Sequence, residues 1–348
     1  MTKPVRYTDL QTYESVGAPI TNLNFDFDLQ YFINALSDGT YDLTFNSFNV
    51  SSNSNMNGAL INNVGNGISA NDAITFGQAK NLSVSNGYSY GFQCSNDPNN
   101  PTTQVDITSG VCKDDTNTIA MQLNETLTKS LNFTFATGTG NGALDTGSIT
   151  ASSTYHLFVI QDNSQNIDIL ASLSATNPQL PPGFVYKRRI PNGAFMTDAN
   201  SHIISVYKQN RLNLLQTPLL DIADTSGCTN TATLRTLTVP SGISTNVLIY
   251  AYMVGASSTD FQYALITSPL VLDTTPQVVT GDSAPYPLYS SGNGVFNLLS
   301  FNGSGIAFYA PFSGTILTDK LQQIRTRNSS INSVELFNIV NFGWYDNN

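Results

Sequence analysis

Between residues 24 and 36 the apolar positions are Phe25, Leu29, Phe32, Ile33 and Leu36, which lie on one stripe of a helix. Asn24 or Asp26 caps its start, and Asp38-Gly39 ends it. One helix cannot bury that stripe alone: either three copies pack around an axis or it packs within the monomer. The period then shortens. Residues 42–50 alternate around Leu43, Phe45 and Phe48, and 56–64 reads as a second short strand. Ser69-Ala-Asn-Asp72 forms a capping box for a helix from Ala73 to about Leu82, and Ser83 to Asn86 closes an N-terminal module, 1–83.

From Gly87 onward short apolar runs recur about every ten residues, separated by Gly, Asn, Asp and Pro. The clearest are Tyr155 to Ile160, Ile167 to Ala171, Val247 to Val254, Tyr263 to Ile266, Ile306 to Tyr309 and Val334 to Ile339. Without helices between them, they predict a mainly β protein whose region 84–348 is an antiparallel, jelly-roll-like β-sandwich. Asn210 to Gly227, with Pro218 inside, is a possible internal boundary. The chain has no heptad array, collagen repeat or short-period repeat, so long coiled-coil, collagen-like and β-helical shafts are not expected.

Composition changes the picture in two ways. Charged residues make up 11% of the 348, against about 25% in an ordinary soluble domain. Asn, Ser, Thr and Gly replace them, residues that favour turns and short strands over helix. The balance of 14 basic against 24 acidic residues gives a net charge of -10. Such a chain lacks the field that holds a phosphate backbone, so neither nucleic acid nor an anionic membrane surface is an expected partner. No run approaches the roughly 18 apolar residues of a membrane-spanning helix, and the first residues show no signal peptide. Cys94, Cys112 and Cys228 are too few for a disulfide framework. They read as small buried residues, with a Cys94–Cys112 pair as the alternative.

Candidate chemistry is sparse. Leu144-Asp-Thr-Gly-Ser148 matches an aspartic-protease loop, but that reaction needs two paired carboxylates, and Asp224-Thr-Ser-Gly227 has the wrong order to supply the second. His156 and His202, the two histidines, lie in no nucleophile elbow and no zinc-ligand spacing. Asp162 to Asp168 resembles part of a calcium loop, yet Ile167 stands where glycine would be needed; a hairpin turn fits better. Glu occurs only at Glu14, Glu125 and Glu335, and spacing nominates no carboxylate pair for a surface-polysaccharide depolymerase. No cofactor is expected. Tyr286, Tyr289, Tyr309 and Phe312, set among Ser and Gly, are receptor-contact candidates, unless they fill the core.

Two stretches carry a family resemblance. Asn55-Met-Asn-Gly through Asp72-Ala-Ile-Thr75 to Ala79 resembles a segment that recurs in bacteriophage tail fibres. Gly138-Thr-Gly-Asn-Gly-Ala-Leu-Asp-Thr-Gly147, Tyr155-His-Leu-Phe-Val-Ile160, Pro182-Gly-Phe-Val-Tyr-Lys-Arg-Arg-Ile190, Ile324-Arg-Thr-Arg327 and Gly343-Trp-Tyr-Asp346 are similar, in order, to a β domain at the C-terminal end of such fibres. Pro191 departs from the pattern, where relatives tend to carry Gly. The resemblance implies a homotrimeric, non-enzymatic tail fibre of the virion, assembled in the host cytoplasm. Its N-terminus would meet other virion proteins and its β region a host-surface glycan or protein. A head fibre, collar or baseplate piece is the structural alternative. Gly138, Gly140, Gly142 and Asp145 then read as structural. Arg188 or Arg189 would pair with a carboxylate across a sheet or protomer interface, or touch the receptor. Trp344 belongs to the core, the trimer interface or a receptor site. Phe25, Leu29, Phe32, Ile33 and Leu36 become trimer-interface candidates.

Overall fold

The computed structural model describes residues 83–225, 228–254, 262–273, 295–303, 306–309, 312–328 and 336–347, with positions 68, 75 and 79; at 262–263, 295–303, 306–309 and 312 it describes the backbone alone. All of these lie in the second of two units, Gly65–Asn348. The expected helix at 24–36 and the strands at 42–64 fall outside the described residues, as do Tyr286 and Tyr289. Ala79 and Ser83 are helical, and the Ala79 amide donates to Thr75 O at 3.0 Å.

The described chain is mainly β, and every expected strand from 155 onward is present. The first ten strands are β1 (Ser89–Gly91), β2 (Cys94–Asn96), β3 (Gln104–Ile107), β4 (Gly110–Lys113), β5 (Ala120–Leu123), β6 (Leu127–Thr134), β7 (Gly142–Leu144), β8 (Thr154–Asp162), β9 (Ile167–Ser172) and β10 (Phe184–Met196). They build a three-stranded sheet, β1-β4-β5, and a seven-stranded sheet, β10-β8-β9-β7-β6-β3-β2. The next ten are β11 (Val206–Gln209), β12 (Leu212–Asp224), β13 (Thr233–Thr236), β14 (Thr245–Val254), β15 (Gln262–Thr267), β16 (Val295–Gly303), β17 (Ile306–Tyr309), β18 (Phe312–Leu317), β19 (Gln323–Asn328) and β20 (Leu336–Asp346). They form two five-stranded sheets, β11-β12-β20-β14-β18 and β13-β19-β15-β16-β17. Pairing is antiparallel except where β7 lies parallel to β6 and β9.

Strand β8 is apolar on both faces, and both are buried. Tyr155, Leu157 and Val159 join a core with Phe92, Val105, Ile107, Leu131 and Phe195, while Phe158 and Ile160 pack with Leu170 on the other side. Asp162 turns the chain into β9, accepting from the Asn166 amide at 2.8 Å, and the two strands form the expected hairpin. A second core draws on both five-stranded sheets: Val247, Ile249 and Met253 of β14, Phe337 and Trp344 of β20, Ile266 of β15 and Ile324 of β19. The three cysteines are unpaired and buried, and burial pushes each thiol up to about 12. They stay protonated and behave as small apolar groups.

The glycine-rich segment before β7 is explained by one buried ion pair. Lys129 Nζ meets Asp168 Oδ1 at 3.0 Å with both side chains enclosed, and it donates to Ala136 O at 2.7 Å and Gly138 O at 3.2 Å. Asp168 accepts from the Gly138 amide at 2.7 Å, so the pair holds the 136–138 backbone from two sides. A Cβ at position 142 would run into the backbone oxygens of Phe133 and Thr134, so only glycine lets β7 lie this close to β6.

The outward face of the β11-β12-β20-β14-β18 sheet has an unusual composition. Strand β14 buries Thr245, Val247, Ile249, Ala251 and Met253 and leaves Asn246, Leu248, Tyr250, Tyr252 and Val254 half-exposed. The registers place Tyr345, Val340, Leu220, Leu214 and Tyr207 on that same face. No residue of that set is charged.

Candidate functional site

The candidate site is an open groove where the two pairs of sheets meet. It is built over a break in β10: the pairing with β8 is lost between Arg189 and Ala194, and Ile190 to Gly193 bulge out. Pro191 cannot donate to a ladder, and Asn192 takes a positive φ of 60°, so the sequence itself enforces the bulge.

That bulge organises a polar seam. Arg189, just before it, reaches across to Asp346 at the end of β20, with Nη1–Oδ2 3.2 Å and Nη2–Oδ1 3.4 Å, a fork-on-fork pair whose carboxylate is buried. The Asn192 amide donates to the same carboxylate at 3.0 Å. On β11, Lys208 Nζ donates to Asn192 O at 3.1 Å, Ala194 O at 2.6 Å and Asn213 Oδ1 at 3.0 Å, and lies 4.2 Å over the Phe195 ring. Asn213 closes the network through Asn192 Oδ1. Burial pushes the Lys208 ammonium down to about 8, with Asp346 opposing that fall; it is still protonated at neutral pH.

The groove above this seam encloses about 740 Å³. Tyr90 of β1, a residue 71% exposed, and Gln93 form one wall; Pro191 and Lys208 lie in the lining, and Gln209, Asn210 and Arg211 of the tight β11–β12 turn complete it. Ser89 and Ser109 add hydroxyls, and none of the described lining residues is acidic. An open cleft with one flat ring, several amides and hydroxyls and a fixed cation offers non-covalent recognition of a polar, ring-shaped ligand.

A second cleft of about 440 Å³ lies between the same halves, lined by Ser153, Thr197, Asp198, Asp221, Thr238 and Gln322 among others. It places two carboxylates in one depression, and both are held by hydrogen bonds. The His202 and Asn200 amides hold Asp198 below the usual carboxylate range. Asp221 is tied by the Thr238 amide at 2.9 Å, the Thr238 hydroxyl at 2.7 Å and Asn341 Nδ2 at 3.0 Å. Glycoside hydrolysis needs one carboxyl with a raised pKa, and Asp198 is shifted the other way. Among the described residues no three His, Cys, Asp or Glu side chains converge to hold a metal ion.

The residues singled out from sequence separate into several places. Gly138, Gly140 and Gly142 belong to the segment held by Lys129 and Asp168. Asp145 accepts the Gln179 amide at 3.0 Å, a loop-to-loop tie. Arg189 pairs with Asp346 across the seam, whereas Arg188 donates to Gly87 O at 3.3 Å on the surface. Trp344 is buried in the second core. Tyr309 ends β17 and Phe312 opens β18. His156 is buried, with Nε2 on Ser241 O at 2.9 Å and Nδ1 unpartnered.

The groove residues Tyr90, Gln93, Lys208, Asn210 and Arg211 escaped the sequence reading because they come from distant segments. One signal pointed there: two of the 14 basic residues of an acidic chain fall within Lys208-Gln-Asn-Arg211. The chain matches no known protein-family model, and no curated protein is significantly similar to it.

Proposed function

We propose that the chain is a bacteriophage tail-fibre protein that fastens the virion to a host-cell surface glycan without catalysing a reaction there. The observation that carries this reading is the groove, where an exposed Tyr90 ring stands beside the amides of Gln93, Gln209 and Asn210. Stacking plus hydrogen bonding from side-chain amides and hydroxyls is the chemistry of saccharide adhesion. The fibre-like sequence segments at 55–79 and 138–190, which occur in the expected order, support the fibre setting. The finer architecture proposed is a jelly-roll-like sandwich in a homotrimer, anchored to the virion through the N-terminal module. Weak single contacts would then be multiplied by copy number.

Association of copies has its own support. A chain of net charge -10 repels itself wherever acidic surfaces meet, but the outward face around Leu248, Tyr250 and Tyr252 carries no charge. Apolar sheet faces of this kind are covered by a partner when they persist in soluble proteins. Further copies of this chain are the occupant proposed. Tyr250→Lys would place three like charges in that contact, and sedimentation at micromolar concentration is expected to change from trimer to monomer with unchanged far-UV circular dichroism. A wild-type monomer under the same conditions would remove the trimer.

The adhesive reading is tested by adsorbing the purified full chain to cells of the phage's host and by pre-incubating those cells before infection. Saturable adsorption and blocked infection are expected. A fibre that neither adsorbs nor blocks would instead be a structural piece of the particle.

A further inference from the structure

We infer that the groove takes an acidic saccharide, with Arg211 holding the sugar carboxylate and Tyr90 stacking on the pyranose face. This deepens the adhesive reading and takes its biological setting from it.

The argument begins with charge placement. The chain has 14 basic and 24 acidic residues, so an average surface cleft should be acidic. Among the described residues that line this one, two are cations and none is a carboxylate. Of the charges beneath it, Arg189 and Asp346 cancel as a pair. Lys208 is satisfied only by two backbone carbonyls and the Asn213 amide oxygen, which leaves its positive charge uncompensated by direct contact with an acid. Its field reaches the groove through a low-dielectric floor, where screening is weak.

Arg211 supplies the directional contact. Every other arginine among the described residues is engaged: Arg189 with Asp346, Arg235 with Asp224, Arg327 with Asp273, Arg325 with Val271 O and Pro269 O, and Arg188 with Gly87 O. Among the described residues, Arg211 has no such partner for its guanidinium. Its backbone is fixed nonetheless, because its carbonyl accepts from the Asp346 amide at 3.0 Å and from Asn213 Nδ2 at 3.3 Å. A preset turn therefore presents an idle guanidinium fork, whose geometry suits a planar carboxylate.

The remaining lining selects a sugar among anions. Tyr90 offers an exposed ring, and Gln93, Gln209 and Asn210 each supply a donor and an acceptor for vicinal hydroxyls. The volume of about 740 Å³ falls within the range of small-ligand sites and leaves room for more than one ring.

The test uses the purified full chain with immobilised polygalacturonate and polysialic acid as acidic probes, dextran and mannan as neutral ones, and inorganic phosphate as a competitor. Binding to at least one acidic polymer is expected, and it should weaken between about 50 and about 300 mM NaCl. Arg211→Gln is expected to lower that affinity at least about tenfold, as loss of a charge-assisted fork does. Tyr90→Ser should lower it severalfold, while Lys320→Gln, which removes an exposed charge elsewhere, should leave it unchanged. Retained binding by Arg211→Gln, an equal loss in Lys320→Gln, equal binding of dextran, or full displacement by phosphate at matched ionic strength would each overturn the inference. The outcomes separate from those of the adhesive reading. Host-cell adsorption indifferent to acidic polymers and to Arg211→Gln sinks the acidic-sugar site alone; polymer binding without adsorption to host cells sinks the adhesion alone.

Discussion

Lys129→Met is expected to lower folding stability by about 3 kcal/mol, because it leaves Asp168 buried without its cation. The methionine retains most of the apolar stem, so the loss measures the ammonium and not a cavity. The effect belongs at the lower end of the range for a broken buried pair, since Asp168 still accepts from the Gly138 amide at 2.7 Å and the Ile169 amide at 2.7 Å. For a unit the size of Gly65–Asn348 that loss lowers Tm by about 5 °C. Urea melts of Lys129→Met, Asp168→Asn and the double variant test the claim. The double variant should lose less than the sum of the singles by at least about 1.5 kcal/mol, as partners in one network do. Strict additivity, or a Lys129→Met melt within about 1 kcal/mol of wild type, would show that the pair does not hold the glycine segment.

The same pair shows where the sequence was legible. Strands with a near-continuous apolar run bounded by turn residues, such as β8 and β14, could be placed from sequence. The glycine-rich stretch 138–142 was recognisable as a tight crossing; Gly142 is the one closely approached, by the backbone of Phe133 and Thr134, while Gly138 and Gly140 take positive φ. What fixes that crossing was hidden. Lys129 and Asp168 are separated by 39 positions, and a lone lysine in Thr128-Lys-Ser130 looks like any solvated side chain. Strands β10 and β12 were obscured for a related reason. Lys187-Arg-Arg189 and Pro191 break the apolar pattern of one, and Pro218 sits inside the other. Both prolines fall at breaks in strand pairing, where the missing amide costs the ladder nothing.

The groove was less legible than the fold. Its wall comes from β1, its rim from the β11–β12 turn, and its floor from a bulge in β10, so no local spacing joins them. The aromatic residues near the C-terminus stood out because they cluster in sequence, whereas Tyr90 stands alone and gains meaning only beside Arg211. The Arg189–Asp346 pair shows both sides. A carboxylate partner for one of the two arginines was foreseeable on a chain so rich in acid, but its location depends on a strand end 157 residues away.

Acidification should expose the seam between the two halves through His156. The imidazole is buried on β8, and burial, with Arg189 beside it, pushes its pKa from 6.5 down to about 4; Ser241 O and Asp346 offset only part of that. The unfolded chain binds a proton near pH 6.5 that the folded protein refuses until about pH 4. Stability is therefore complete above about pH 6.5 and falls as the pH drops toward 4. At about 1.4 kcal/mol for each pH unit in that window, the loss is about 3 kcal/mol. The carboxylates with depressed values, Asp114, Asp162 and Asp198, start below the ordinary 3.8 and act only at lower pH, so the window belongs to the histidine. His156→Gln keeps a donor for Ser241 O and removes the titration. Trp344 is the chain's one tryptophan and lies buried in the second core, so its fluorescence follows urea melts directly. Between pH 7 and pH 4.5 the wild type should lose most of that amount, while His156→Gln should stay within about 1 kcal/mol of its value at pH 7. Parallel losses in the two proteins would mean that the seam opens for another reason, and that a neutral imidazole is not what keeps the halves together.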